Sequence, residues 1–379
     1  MTKPSAAPRL AGVLKTAALG ACAMALPLSA HALVVTTADV SFNDSATVSD
    51  GKAGGATTQN NVAVGSSSIA QFDVSLGVLT GATINMNSSR TLSVATTATA
   101  GGGNGANNSV HTQGSGSIGA VVTAPGVTRT FSTLSAADTC SGLRKGACSD
   151  GATTASMATN LTGVVNASDL NAYVGAGSVL VSRSASSLTA HQTGSAFTGA
   201  ETTTATASWS GTVGATYSYL LHAAPLINGS SSSIVTLDLG TFLTGTPASL
   251  LFTVSNLSGD RAGLDLDAIN ASGDTGVLFT DLSTFSELNP GDSLLFSAML
   301  DTALPGTYAS HYQLAMSDAD VGAASSRSSY TMDLYLTANV QAPLVQLQGF
   351  GFNVVPEPAS LALVGVGIAG LGWNRRRRS

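Results

Sequence analysis

The sequence predicts an all-β chain: two antiparallel β-sandwich domains of immunoglobulin or jelly-roll type, flanked by an N-terminal signal helix and a C-terminal transmembrane helix. Three observations predict it. Apolar and polar residues alternate with period two along most of the chain, clusters of Gly, Ser, Asn and Pro separate the alternating runs, and a long apolar stretch stands near each end. Between those ends no segment carries the 3.6-residue period of an amphipathic helix.

Phe72, Val74 and Leu76 alternate with Asp73 and Ser75, and Ala82, Ile84 and Met86 alternate with Thr83 and Asn85, which predicts short half-buried strands. A Thr-rich strand passes through Trp209 toward Tyr217 and Tyr219. Tyr330, Met332, Leu334, Leu336, Ala338 and Val340 share one face while Thr331, Asp333 and Asn339 take the other, which predicts a long last strand. The first sandwich is placed at residues 33–222 and the second at 225–342, followed by a stalk at 343–355.

At the front, Lys3, Arg9 and Lys15 precede an apolar run from Thr16 to Leu28 and the small-x-small site Ala30-His31-Ala32, the series that signal peptidase reads. Residues 1–32 are therefore expected to be removed. Leu19-Gly20-Ala21-Cys22 fits a lipoprotein cleavage pattern, but the apolar run continues past Cys22, which favours the later site.

At the rear, Pro356-Glu357-Pro358 is followed by apolar residues from Ala359 to Trp373 and then by Arg375, Arg376, Arg377 and Arg378. In these three parts, in this order, residues 356–379 resemble the PEP-CTERM sorting signal. The resemblance implies an exosortase-type sorting enzyme as a partner, passage through the inner membrane during processing, a final place at the cell surface or outside the cell, and exopolysaccharide as an associated partner. Physical chemistry reaches the membrane part independently. A span of about fifteen apolar residues is marginal for a bilayer that prefers roughly twenty, and four guanidinium groups behind it resist translocation and leave Pro356 and all that precedes it outside.

The whole chain carries a formal charge of −6, yet its two ends hold seven of the 15 cations and one of the 21 acids. What lies between is left with eight cations against twenty acids, near −12, a balance that argues against nucleic acid or an anionic membrane surface as partner. Export would remove Cys22 and leave Cys140 and Cys148, in what reads as a Gly/Ser-rich loop. A local disulfide is expected there, since zinc needs about four ligands and the redox motif needs two intervening residues.

Within the first region, Gln71-Phe72-Asp73-Val74-Ser75-Leu76-Gly77-Val78-Leu79, Ala172-Tyr173-Val174-Gly175-Ala176-Gly177 and Ala215-Thr216-Tyr217-Ser218-Tyr219 resemble the choice-of-anchor E domain. The resemblance implies an extracellular domain carried on a sorting tail and no reaction; long Gly/Asn/Thr insertions such as 100–117 depart from it. The second region, with Leu237-Asp238-Leu239-Gly240-Thr241-Phe242, Gly245-Thr246 and the strand Leu251-Phe252-Thr253-Val254-Ser255-Asn256, resembles an immunoglobulin-type bacterial surface repeat. Tyr308, after Leu304-Pro305-Gly306-Thr307, either bonds back to the backbone of its corner or packs as a buried aromatic.

Candidate chemistry is sparse. Gly114-x-Gly116-x-x-Gly119 and Gly365-x-Gly367-x-x-Gly370 match a dinucleotide fingerprint by spacing alone, the first reading as a loop and the second lying in the apolar tail. His111, His191, His222 and His311 stand apart from any Cys or nucleophile motif. Asp260, Asp265, Asp267 and Asp274 could hold calcium, but the spacing is not that of an EF-hand, and solvated turns explain them more simply. The Asn-x-Ser/Thr sequons, Asn160 and Asn166 among them, follow from a composition rich in those residues. The reading is a structural or interaction protein of the cell surface or extracellular matrix, associated with exopolysaccharide or biofilm, with no catalytic residues, metal or cofactor. Two alternatives stand beside it: a carbohydrate-binding module, which needs exposed rings such as Trp209, Tyr217 and Tyr219, and a hydrolase whose site is dispersed in sequence.

Overall fold

The structure is a computed structural model that describes residues 31–51, 55–100, 110–142, 147–193 and 198–343. The expected signal helix with Ala30, the stalk beyond Pro343 and the sorting segment with Pro356, Glu357, Pro358 and Arg375 to Arg378 lie outside the described residues. Among those described, no helix is long and apolar enough to cross a membrane.

The first ten strands are β1 Leu33–Thr36, β2 Val40–Gly51, β3 Thr57–Ala70, β4 Val78–Ala100, β5 Val110–Ala124, β6 Val127–Gly142, β7 Ala147–Ala158, β8 Leu161–Val164, β9 Ser178–Thr193 and β10 Thr198–Leu220. They form two facing sheets. One runs β1-β10-β4-β7, with β2 also paired to β10 and β8 to β4; the other runs β3-β9-β5-β6. The short strands expected from the turn-residue clusters are in fact long. β4 and β10 have 23 residues each and pair from Thr198↔Ala100 to Leu220↔Val78, a ladder of roughly 75 Å at the usual rise per residue. Ser, Thr and Ala keep the alternation going where Gly was expected to break it, so several glycines sit inside strands.

Gly114 and Gly116 show why. Both lie in β5 and point between the sheets, where a Cβ on Gly116 would fall 2.9 Å from Ala205 Cβ and from Val94 Cγ2, and one on Gly114 would collide with the hydroxyls of Thr96 and Thr203. The glycine motif expected in a loop is thus a strand whose missing side chains let the two sheets approach closely. Ser115 to Ser117, read as part of a loop insertion, belong to the same strand.

The core of this sandwich changes along its length. Near one end it is aromatic, built from Phe72, Tyr173, Trp209 and Tyr217 with Ile84 and Val122. In the middle Leu92, Val94, Ile118 and Leu188 pack against alanines. At the far end the core of the described residues narrows to Ala98 and the Cys140–Cys148 disulfide, with a Cα–Cα distance of 5.7 Å. The cysteines lie on the end of β6 and the start of β7, which belong to opposite sheets, so the bridge closes a short loop and at the same time staples the two sheets together. A second departure from expectation is Phe72 to Leu76. Phe72 is buried, but Val74–Leu76 is a single 3₁₀ turn with Val74 and Leu76 exposed, because the Asp73 carboxylate accepts from Ser75 N at 2.9 Å and caps the turn.

The other nine strands are β11 Pro225–Ile227, β12 Ile234–Leu243, β13 Ala248–Asn256, β14 Leu264–Gly273, β15 Leu278–Thr280, β16 Phe285–Leu288, β17 Ser293–Leu300, β18 Gly306–Asp318 and β19 Ser329–Gln341. Sheets β11-β13-β17-β15 and β12-β19-β18-β14-β16 enclose a core of Phe252, Val254, Leu266, Leu314, Leu334 and Leu336 among others. The pairing is not wholly antiparallel. β12 runs parallel to β19, from Ile234↔Asp333 to Leu243↔Gln341, because the region's first long strand forms an edge beside its last. Along β19 the expected face holds: Met332, Leu334, Leu336, Ala338 and Val340 are buried.

Candidate functional site: the joint between the sandwiches

The chain passes from β10 to β11 through Leu221 to Ala224, and that short segment is tied to both sandwiches. Leu221 N donates to Asp260 O at 2.9 Å, and Ala262 N donates to Leu221 O at 2.8 Å. The connection after β18 reaches back to the first sandwich, where Ala323 N donates to Leu79 O at 2.8 Å and Leu79 N donates to Ser326 Oγ at 2.9 Å. Asn171 Oδ1 accepts from Ser325 N and Oγ at 3.0 and 2.9 Å. Ala323 itself is buried in the aromatic core of the first sandwich. At Gly322, φ is +59° and a Cβ would collide with Leu79 O, so the tip of this connection needs glycine.

His222 occupies the middle of the joint. Its Nδ1 lies 2.7 Å from Asp318 Oδ2 at the end of β18, and its Nε2 lies 2.8 Å from Val74 O in the first sandwich. The Asp318 side chain is fully buried and its oxygens are well supplied. Oδ1 accepts from Ala223 N and from Tyr330 OH, and Oδ2 accepts from Ser328 N, each at 2.7 Å. Burial, and then the Asp318 carboxylate, push the Tyr330 phenol well above its ordinary value. Arg261 Nη1 donates to the carbonyl of His222 at 3.0 Å.

Ser328 Oγ lies 3.4 Å from His222 Nε2, so a serine, a histidine and a buried aspartate far apart in sequence converge. The order is that of a nucleophilic triad, but the bonding is not. Nε2 is directed at the nearer carbonyl of Val74, and the Ser328 amide, which could have polarised an acyl oxygen, is spent on Asp318. The arrangement ties the two sandwiches together, with Nε2 closer to the Val74 carbonyl than to the Ser328 hydroxyl.

The other residues singled out in sequence are dispersed. Asp260 Oδ1 accepts from His31 N at 2.9 Å, Asp265 from Glu287 N at 2.7 Å, and Asp274 from Ala309 N at 2.9 Å, so these acids serve as separate backbone ties. Among the described residues no three acids, histidines or cysteines gather as a metal site would need. His111 Nδ1 contacts Ser141 Oγ at 2.7 Å, and His311 pairs with Asp333 at 2.7 Å and stacks on Tyr335 with ring centroids 4.5 Å apart. Tyr308 OH donates to Leu304 O at 3.0 Å, the corner bond that was one of its two expected roles. Trp209 and Tyr217 are each 1% exposed, which removes the stacking platform a carbohydrate module would need from them. A cavity of about 340 Å³ lies between β6 and β8, lined by Gly126 to Arg129 and Asn160 to Val164.

Sequence reasoning missed the charges inside the first sandwich. Arg90 is buried against the edge-to-face pair of Phe131 and Trp209, 5.8 and 5.7 Å from their ring centroids, with Nε donating to Thr159 Oγ1 at 3.0 Å. Arg183 lies 3.7 Å over the Phe42 ring and pairs with Asp44. Asp50, Asp138 and Glu201 are buried toward the disulfide end among Thr96, Thr112, Gln192 and Thr203. Parity would have found them. Arg90 has the same phase as Ile84, Met86, Leu92 and Val94, and Arg183 the same phase as Val179, Val181 and Ala185.

Comparison with known families matches residues 354–378 to the PEP-CTERM protein-sorting motif. No curated protein matches the chain. Among solved structures, the VesB protease of Vibrio cholerae aligns at 16% identity over 32% of this chain and 37% of that one, with a TM-score of 0.20. A nucleoside hydrolase-related hypothetical protein from Saccharophagus degradans, associated with carbohydrate metabolism, aligns at 13% identity over 32% of this chain and 26% of that one, with a TM-score of 0.19. The chain spans only about a third of the length of these structures, and overlap this slight carries no inference of fold or activity. The sorting motif does carry one: it marks an exported surface protein processed by an exosortase-type enzyme.

Proposed function

We propose that this chain is a non-catalytic structural or interaction protein of the cell surface or extracellular matrix, whose two sandwiches form a stiff presenting arm and whose partner outside the cell is exopolysaccharide. The observation that carries the reading is the sorting motif at residues 354–378 on a chain whose described residues are mostly β-strand. Two features support the non-catalytic part: the occupied Nε2 of His222 and the dispersal of the remaining histidines and acids. The polar outer faces and low content of charged residues, 9%, suit contact with a neutral, hydrated polymer.

Two measurements test it. A fluorophosphonate probe, which labels activated serines, is expected to leave Ser328 unmodified; stoichiometric labelling there would replace this reading with a hydrolase. Glycan-array binding of the exported protein is expected to show affinity for extended polysaccharides of the producing cell, and binding to none of them would remove exopolysaccharide as partner.

A further inference from the structure

We propose that His222 is a protonation-dependent latch that sets how firmly the two sandwiches are docked. The argument is one of donors and acceptors. Both ring nitrogens face oxygens that can only accept, the Asp318 carboxylate at 2.7 Å and the Val74 carbonyl at 2.8 Å. Only the doubly protonated ring donates to both. A neutral ring keeps one N–H: given to Asp318, it leaves a lone pair against Val74 O, and given to Val74, it leaves a lone pair against a buried carboxylate. Ser328 Oγ, at 3.4 Å from Nε2, is a longer and poorer substitute donor. Either neutral form loosens one side of the joint, because one partner of the ring belongs to the first sandwich and the other to the second.

Charged and titratable groups face the ring from both sandwiches. From the first sandwich, Asp73 precedes Val74, with its carboxylate capped by Ser75 N and held below its ordinary value by that bond. From the second, Asp318 faces Nδ1, Tyr330 stands behind it pushed upward, and Arg261 donates to the backbone of His222. Asp260 bonds Leu221 through its carbonyl and, in the uncut chain, accepts from His31 N, a contact that goes with residues 1–32; Asp320 pairs with Arg327 on the outer side of the connection. Histidine is the side chain whose charge ordinarily changes between about pH 5 and about pH 8. With 22% of the His222 side chain exposed, protons reach it from solvent. The doubly protonated ring therefore closes the latch, and loss of one proton releases it.

Hydrogen exchange on the exported protein, corrected for the intrinsic effect of pH, reads the latch directly. Leu79, Ala323 and Ser325 amides bond across the joint, whereas those of β19 report on the second sandwich alone. Between about pH 5.5 and about pH 8.5, protection of the joint amides is expected to fall by roughly tenfold or more, the consequence of losing a charge-assisted bond, while β19 stays protected. His222→Gln, which has one donor group and cannot bond both sides as a cation, is expected to show the low protection at both pH values. Equal protection of wild type at the two pH values, or an unchanged pH response in His222→Gln, would overturn the proposal. Should that variant misfold, nitrogen NMR of the wild-type imidazole decides: both nitrogens protonated in mild acid and one released at higher pH supports the latch, and a ring neutral throughout refutes it.

Discussion

Arg90 shows what a single buried side chain does in a sandwich made largely of Ser, Thr and Ala. The two adjoining aromatic rings and the bonds to Thr159 Oγ1 and Ser132 O let a guanidinium replace a large apolar residue, and burial lowers its proton affinity without removing the charge. Arg90→Ala removes the plug and both bonds, so we expect a loss of about 3 kcal/mol in urea unfolding, most of it recovered by Arg90→Met. A loss below about 0.5 kcal/mol for Arg90→Ala would mean that the rings collapse into the space unaided. The tyrosines behave differently. Tyr173 OH donates to Pro125 O and Tyr217 OH to Ala70 O, each at 2.7 Å, and burial, with a smaller push from Asp169, raises Tyr173 to about 12, while Tyr217 is also raised. Below about pH 10 both folded and unfolded phenols are protonated and contribute no pH dependence. Above it the unfolded phenols ionise first, so stability falls as pH rises through that range until the folded groups follow. Unfolding measured between about pH 9 and about pH 12 should show that decline, and phenolate absorbance in the folded protein rising near the free value of about 10 for all tyrosines would contradict it. None of this was visible in composition, since the phase of Arg90 marks it as inward-facing but only the fold puts Phe131 and Trp209 beside it.

At the scale of the strand, period-two alternation gave the class of fold and the last strand correctly, because Met332 to Val340 need only one buried face to declare themselves. The same signal failed at Phe72 to Leu76, where a side-chain cap on Ser75 outweighs the alternation, and it underestimated the length of β4 and β10 and missed β5, where glycines taken as punctuation are packing positions. Gly114→Ala tests that reading: the added methyl has nowhere to go between Thr96 and Thr203, and overpacking of this kind costs about 1–3 kcal/mol. Wild-type stability in that variant would show the sheets able to part. The disulfide is the other device of this end, where the core has dwindled to Ala98 and the two sulfurs. A peptide containing Cys140 and Cys148 should weigh two hydrogens less before reduction. Replacing both by Ser is expected to cost about 2–3 kcal/mol, the chain-entropy value for so small a loop, and alkylation of both thiols without reduction would refute the bridge.

Across the described molecule, β1 starts beside the joint and β19 ends at the opposite end of the second sandwich. Leu33 pairs with Tyr219 beside the joint, whereas Gln341 pairs with Leu243 at the end of β12 and β19 remote from Asp318. The disulfide end therefore lies at the opposite end of the described residues from Gln341, which suits the presenting arm proposed above. Sequence could not reveal this, because His222, Asp318 and Val74 become neighbours only through the docking of two domains. The tail makes the last prediction. Its Pro-marked break, a span of about fifteen apolar residues where roughly twenty are comfortable, and four arginines behind it should stall export with Pro356-Glu357-Pro358 at the outer boundary of the membrane. We expect the mature protein to have lost 1–32 to signal peptidase and 359–379 to a sorting enzyme. Replacing Arg375, Arg376, Arg377 and Arg378 by Ser should weaken the stall and let uncut protein through, and deleting 356–358 should leave the chain embedded with its tail attached. Intact-mass analysis of surface protein reads all three outcomes, and wild-type chains recovered with residues 359–379 still present would make this tail a plain membrane anchor.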